Sequence, residues 1–261
     1  LLTYNQNWSL AFRLSKDVLK LITKIKLKSK ELQVYFPDIS QGLIAYDRYK
    51  GQSDEIIRNR IYHFNSKIRK DLKPWLYGED VKKYLVKWNK KEWFDYCDGV
   101  ANPRKPKFFK GRRILIREIT NPSIYAAFTD KEYYHDPSII VILDGPSSDI
   151  LLFYILGILN SKIATFYHFN ASPKATKGGF PKILIKDVKE FPIVFAQQEE
   201  QKKIVELVNK ILSLTQSEDY LENPQKQAKV KEYEHQIDQL VYKPVSYTHL
   251  RAHETSLHLV C

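Results

Sequence analysis

Ile139 to Leu143 form five aliphatic residues in a row, with no polar residue among them. A strand is expected over Ser138–Leu143, and one this apolar has no face to offer solvent, so it belongs at the centre of a sheet. A second strand is expected over Arg113–Ile119, around Ile114, Leu115 and Ile116. From Tyr62 to Trp93 short apolar groups alternate with turn residues, as in Leu76-Tyr77-Gly78-Glu79-Asp80-Val81 and Tyr84-Leu85-Val86-Lys87-Trp88. That is the pattern of short strands joined by tight turns. Phe191–Val194 reads as a last, strand-like piece.

Helices flank these strands. Leu151, Leu152, Ile155, Leu156, Leu159 and Ile163 recur at three- and four-residue intervals and predict one buried helix over Asp149–Phe169. Val18, Leu19, Ile22 and Ile25 predict an amphipathic linking helix over Ser15–Lys28, ended by Pro37. Gln197–Leu214 carries Ile204, Leu207, Val208, Ile211 and Leu212 on one face, and Gln225–Tyr242 carries Val230, Tyr233, Ile237, Leu240 and Val241, with Pro224 between them. The pair reads as a helical hairpin or coiled-coil spacer. The fold class expected is therefore α+β: a linker helix over 1–35, a β-rich domain with a buried helix over 36–195, and a C-terminal amphipathic helical hairpin over 196–244.

Charge narrows the function. The chain's formal charge is +12, and the segment Arg58–Arg117, with 18 basic and 6 acidic side chains, carries all of it. A concentrated basic block is the electrostatic footprint of a polyanion binder; a solvated lysine-rich surface is the bland alternative. Its densest part is Pro103–Arg117, where Arg104, Lys105, Lys107 and Lys110 lie among Pro103, Pro106, Phe108 and Phe109, and Arg112, Arg113 and Arg117 lead into the strand. The prolines stiffen the loop and Gly111 permits the turn. Arg113 and Arg117 share a strand face with Leu115, so one of them is expected to be a structural cation paired with Glu118 or Glu79. A second basic loop, Asn170–Lys182, offers Lys174, Lys177 and Lys182 with Gly178 and Gly179, which allow close backbone approach to a phosphate; it is expected to line the same face. Trp75, Trp88 and Trp93 could stack on bases, but aromatic residues in strands more commonly pack in cores.

Other classes drop out. The longest apolar run, Ile150–Leu159, is interrupted by Gly157 and falls far short of the ~20 residues of a membrane-spanning helix. With two cysteines and no secretory leader, a reducing, cytoplasmic setting is expected. The chain starts at Leu1 and contains no methionine, so a longer natural protein extending upstream is expected. Val245–Thr255 resembles the translation of a sequencing adapter; we set aside 245–261 as non-native. His249, His253, His258 and Cys261 imitate metal-ligand spacing only within that tail, and no metal site is assigned.

Five pieces in this order resemble the TaqI-like C-terminal specificity domain over roughly residues 36–195. They are Asp38-Ile-Ser-Gln-Gly-Leu-Ile44, Gly78-Glu-Asp-Val-Lys-Lys-Tyr84, Pro106-Lys-Phe-Phe109 with Arg113-Ile-Leu-Ile-Arg117, Leu156-Gly-Ile-Leu-Asn-Ser-Lys162, and Phe180-Pro-Lys-Ile183. Phe191–Val194 followed by Gln197, Glu200, Gln201 and Ile204 resembles the end of a type I specificity-subunit recognition domain entering its spacer helix. The resemblance implies a target recognition domain of an adenine-specific DNA methyltransferase or type IIG restriction-modification enzyme. It also implies double-stranded DNA as partner and an upstream methyltransferase domain or subunit that uses S-adenosylmethionine. No cofactor and no catalysis are expected on this chain: Asn121-Pro122-Ser123 lacks the second proline and aromatic of the family's catalytic motif, and no glycine-rich cofactor loop follows a strand. Asp187-Val188-Lys189 has acid-x-lysine spacing but no partner acid for a nuclease. In the expected division of labour, Lys105, Lys107, Lys110 and the glycine loop hold phosphates, while some of Arg104, Arg112, Arg113 and Arg117 reach guanine edges. A subunit-assembly domain, with helices 197–242 binding a partner, is the alternative.

Overall fold

The computed structural model describes residues 14–145, 149–175 and 180–246. Two four-stranded sheets are built from β1 (Ile39–Gln41), β2 (His63–Phe64), β3 (Lys73–Leu76), β4 (Trp93–Phe94), β5 (Arg113–Arg117), β6 (Ala126–Thr129), β7 (Tyr134–His135) and β8 (Ile139–Leu143). The central sheet has the order β1-β8-β5-β6 and is antiparallel throughout. Its most apolar strand, β8, is an inner one, as its five aliphatic residues require. The second sheet has the order β7-β3-β4-β2, with β7 parallel to β3 and the other pairs antiparallel.

Because side chains alternate along a strand, the two faces of the central sheet serve two cores. Ile114, Ile116, Ile140 and Ile142 join the helical core, whereas Leu115, Ile139, Val141 and Leu143 pack with Leu76, Val81 and Tyr133 of the other lobe. A third cluster, with Leu43, Trp75, Phe94, Phe109 and Tyr134, fills the interior of the second sheet's lobe. The basic loops are therefore borne on a lobe whose base is shared with a helix-backed sheet.

Five longer helices complete the fold: α1 (Lys16–Lys28), α2 (Asp149–Asn160), α3 (Lys162–Ala171), α4 (Gln198–Thr215) and α5 (Pro224–Ser246). The single helix expected over 149–169 is divided at Ser161. Its hydroxyl accepts from the Ala164 N–H at 3.2 Å while donating to the Ile158 carbonyl at 2.6 Å, and Asp238 of α5 accepts from the Lys162 N–H at 2.8 Å. Apolar periodicity runs through the break, but a serine able to cap the next helix ends the first.

The expected boundaries near 35 and 195 are not breaks in packing. Ile22 and Ile25 of α1 are buried, and Leu32, Ile204, Leu207, Val208, Ile211, Val230 and Ile237 share one core with the central sheet. Lys30–Glu31 also pairs antiparallel with Pro192–Ile193. The C-terminal hairpin is thus docked on its own chain and is not a free spacer. Each fully buried aliphatic side chain contributes about 1.5–3 kcal/mol, which a solvated spacer would forgo. Gly157 marks how closely α4 lies on α2: a Cβ there would meet Ile204 Cγ2 at 2.9 Å and Val208 Cγ2 at 3.1 Å. Gly157→Val is expected to destabilise the chain by about 1–3 kcal/mol through overpacking, read as a lower urea midpoint.

Candidate nucleic-acid interface

The basic loop that enters β5 is shaped from below by aromatic packing. Pro106–Phe109 forms a single 3-10 turn that sinks Phe109 into the lobe, stacked on Tyr134 at 4.3 Å and edge-on to His135 at 5.2 Å. Gly111 follows with φ of +74°, a left-handed conformation that a side chain would strain. With Phe109 buried, its neighbours Lys105, Lys107 and Lys110 are left exposed.

Arg113 faces inward. It is fully buried, and its guanidinium donates to the carbonyls of Gly111 at 2.6 Å, Phe109 at 2.9 Å and Lys131 at 2.7 Å. Burial brings its pKa down to about 10. It is therefore a clasp that holds the basic loop against the β6–β7 turn, and it reaches no base edge. Strand alternation predicted one structural arginine; the structure selects Arg113, with carbonyls in place of the expected Glu118 or Glu79.

The other arginines are also engaged. Arg112 bonds Asp144 through Nε at 2.9 Å and lies over Phe128 and Phe153 at 5.3 and 5.6 Å. Arg117 lies over Tyr125 at 5.2 Å, and Arg104 donates to the side chain of Asn102. Lys107 is shared with Asp38 at 2.8 Å in an exposed pair, which is weak enough to open toward a phosphate. Among the described residues, Lys105 and Lys110 have no carboxylate within ion-pair distance.

Of the second basic loop, two of the three lysines are described. Lys177, Gly178 and Gly179 lie outside the described residues. Lys174 is exposed, and Lys182 bonds Glu118 at 3.1 Å while bridging Ile119. Ile119 lies six residues of extended chain beyond Arg113, a span of up to about 20 Å. Lys174 and Lys182 therefore stand toward the Ile119 end of β5, whereas the first basic loop enters at the Arg113 end.

The structure instead supplies neighbours that the sequence did not single out. Lys67 lies over Trp93 at 4.9 Å, Trp93 meets Trp88 edge-on at 4.9 Å, and Trp88 meets Tyr133 at 6.1 Å. The Tyr133 N–H in turn bonds the Phe109 carbonyl at 2.9 Å. Lys67, Lys87, Lys90, Lys91 and Lys131, which lie on these rings or near them in the chain, are exposed, as are Lys105 and Lys110. Trp75, by contrast, is core. The charge block of 58–117 was the available signal for all of these but Lys131.

Other chemistry has little material here. Burial lowers the pKa of His63 and His135 to about 3 and that of His168 to about 4; all three are neutral and bonded or packed inside. Among the described residues, no group of three or more His, Cys, Asp or Glu could hold a metal ion, and no helix is long and apolar enough to cross a membrane.

Comparison with known proteins agrees with a recognition surface. Residues 73–193 match the TaqI-like C-terminal specificity domain. A candidate type II restriction enzyme and methyltransferase of Methanocaldococcus jannaschii, RM.MjaORFECS2P, is 26% identical over 186 residues, covering 70% of this chain and 15% of that protein. The chain thus spans less than a sixth of the length of that curated relative. The type IIL restriction-modification enzyme MmeI, solved in complex with DNA, superposes with a TM-score of 0.54 at 15% identity, over 85% of this chain and 34% of its own; this likeness is one of fold. The type IIG restriction endonuclease BpuSI follows at a TM-score of 0.49 and 11% identity, over 88% of this chain and 33% of its own, too loosely to argue from.

Proposed function

We propose, from the match of residues 73–193 to the TaqI-like C-terminal specificity domain, that this chain holds duplex DNA and reads the target for a restriction-modification enzyme. The observation that carries this reading is the exposed lysine loop within the basic segment. Among the described residues Lys105 and Lys110 have no carboxylate partner, on a loop clasped from inside by Arg113. Lysines of this kind hold phosphates and release condensed cations on binding. Of the candidate base readers, Arg104 and Arg117 remain near the surface and Arg113 does not.

In the intact protein, a methyltransferase domain or subunit using S-adenosylmethionine would supply the reaction, with adenine as the modified base and the cytoplasm as the setting. The C-terminal helices give little support to an assembly role, because their apolar faces are already spent on this chain's own core.

Replacing Lys105 and Lys110 together by glutamine is expected to weaken binding to all duplex sequences alike and to flatten the slope of log affinity against log salt by about two. Fluorescence-anisotropy titrations at several salt concentrations check this; an unchanged slope would remove this lysine loop from the interface.

A further inference from the structure

Two large apolar side chains stand out from this lobe, one in the short 3-10 turn Arg48–Lys50 and one in the loop between β2 and β3, each between cations. Tyr49, in Arg48-Tyr49-Lys50, is 96% exposed, and Ile68, in Lys67-Ile68-Arg69-Lys70, is 64% exposed. Single exposed apolar residues are ordinary. What separates these two is how firmly their backbones are held.

In the first turn, the Tyr49 N–H donates to Asp47 Oδ1 at 2.9 Å and the Asp47 N–H to Gln52 Oε1 at 2.8 Å. The Gln52 amide then donates to the carbonyls of Ala45 at 3.0 Å and Gly99 at 2.7 Å. In the second, the Ile68 N–H donates to Ser66 O at 3.0 Å, and Arg69 bonds Asp95 at 2.7 Å while lying over Phe64 at 5.8 Å. Both turns are tied to segment 95–99, whose Tyr96 hydroxyl donates to the Arg104 carbonyl of the basic loop at 2.7 Å. Their anchors, Asp95 and Gly99, are four residues apart, at most about 14 Å of chain. Two apolar tips and the lysine loop thus hang from one strip of backbone.

We propose that Tyr49 and Ile68 are wedges that enter the base stack or groove floor of the bound duplex, while Lys50, Lys67 and Lys70 hold the phosphates on either side. This rests on the DNA-binding reading above and adds to it a non-ionic contact that deforms the DNA. Rigid bracing suits that task, since a tip already held in place loses little freedom on insertion. Charge complementarity selects the occupant: Arg48 and Arg69 are paired with Asp54 and Asp95, but Lys50, Lys67 and Lys70 beside the tips have no carboxylate partner among the described residues, and cations so placed around an apolar tip favour a polyanion with an apolar interior.

The test uses the full chain and a duplex selected by that chain from a random-sequence pool, with 2-aminopurine placed at successive positions. Binding is expected to raise the fluorescence at one or two steps, where unstacking occurs. Tyr49→Ala and Ile68→Ala should each weaken binding about ten-fold or more and abolish that rise without changing the salt slope, and Tyr49→Phe should retain both. Unchanged affinity and fluorescence in both alanine variants would overturn the wedge while leaving DNA binding intact. If the wild-type chain binds no duplex, the DNA reading itself fails. Loss of binding to phosphatidylserine vesicles in the alanine variants, with DNA affinity intact, would assign the tips to a membrane surface and also overturn the proposal.

Discussion

Arg113→Met is expected to lower the free energy of unfolding by about 4 kcal/mol, more than any surface change in the lobe. Its guanidinium satisfies three backbone carbonyls in a fully buried position, and of these only the Phe109 carbonyl keeps another donor, the Tyr133 N–H. The Gly111 and Lys131 carbonyls would lose charge-assisted, part-buried bonds, at about 1–3 kcal/mol each, and the packing of the planar group in its buried site would be lost as well. Arg113→Lys should recover little, because a single ammonium cannot reproduce a fork that spans the loop and the β6–β7 turn. Urea titration of the two variants measures this. DNA affinity should fall along with stability, since Lys105 and Lys110 sit on the loop that Arg113 clasps. A variant as stable as the wild type but altered in preferred sequence would return Arg113 to base reading and refute its structural role.

Acid should destabilise the chain steeply between about pH 6.5 and pH 5. His63, His135 and His168 all have folded pKa values pushed by burial below their ordinary 6.5, to about 3, 3 and 4. A depressed pKa means that the unfolded chain binds protons more readily than the folded one. The stabilisation is therefore fully present above pH 6.5 and drains away as the pH falls toward the folded values. At pH 5 the loss amounts to about 2 kcal/mol per histidine, or about 6 kcal/mol for the three. The groups that face them do not reverse this. His63 meets the Tyr46 hydroxyl at 2.8 Å and Glu92 at 4.0 Å, with Arg60 adding repulsion. His135 contacts the Asp136 carbonyl at 3.1 Å, and His168 contacts Thr120 at 3.0 Å with Asp187 nearby. Asp80, Glu234 and Asp238, raised by burial, oppose the trend, but only as the pH nears the carboxylate range. Urea midpoints at pH 7 and pH 5 check the effect, which His→Gln at these three sites should flatten; equal midpoints in the wild type would contradict it.

Much of the architecture was legible because it rests on local pattern. The run Ile139–Leu143 had to be covered on both faces, and it is an inner strand between two cores. Val18, Ile22 and Ile25 announced α1, and Ser15 caps it. The misreadings arose where a polar residue had a partner far along the chain. Ser161 ended a helix that periodicity carried on, supported there by Asp238 from α5. Arg113 resembled its basic neighbours until Lys131, 18 residues away, accepted its bond.

The sequence by itself determined the α+β composition, the confinement of the net charge to 58–117 and the order of pieces that resembles a specificity domain, because each depends on residue type and short spacing. Tertiary structure alone decided which cations remain exposed and uncommitted. It turned Arg113 inward, tied Arg112 to Asp144 and Lys182 to Glu118, and left Lys105 and Lys110 exposed on the loop that Arg113 clasps. The physical reason is that a cation's availability depends on the carboxylates, carbonyls and rings that folding places beside it, and sequence spacing does not record those neighbours.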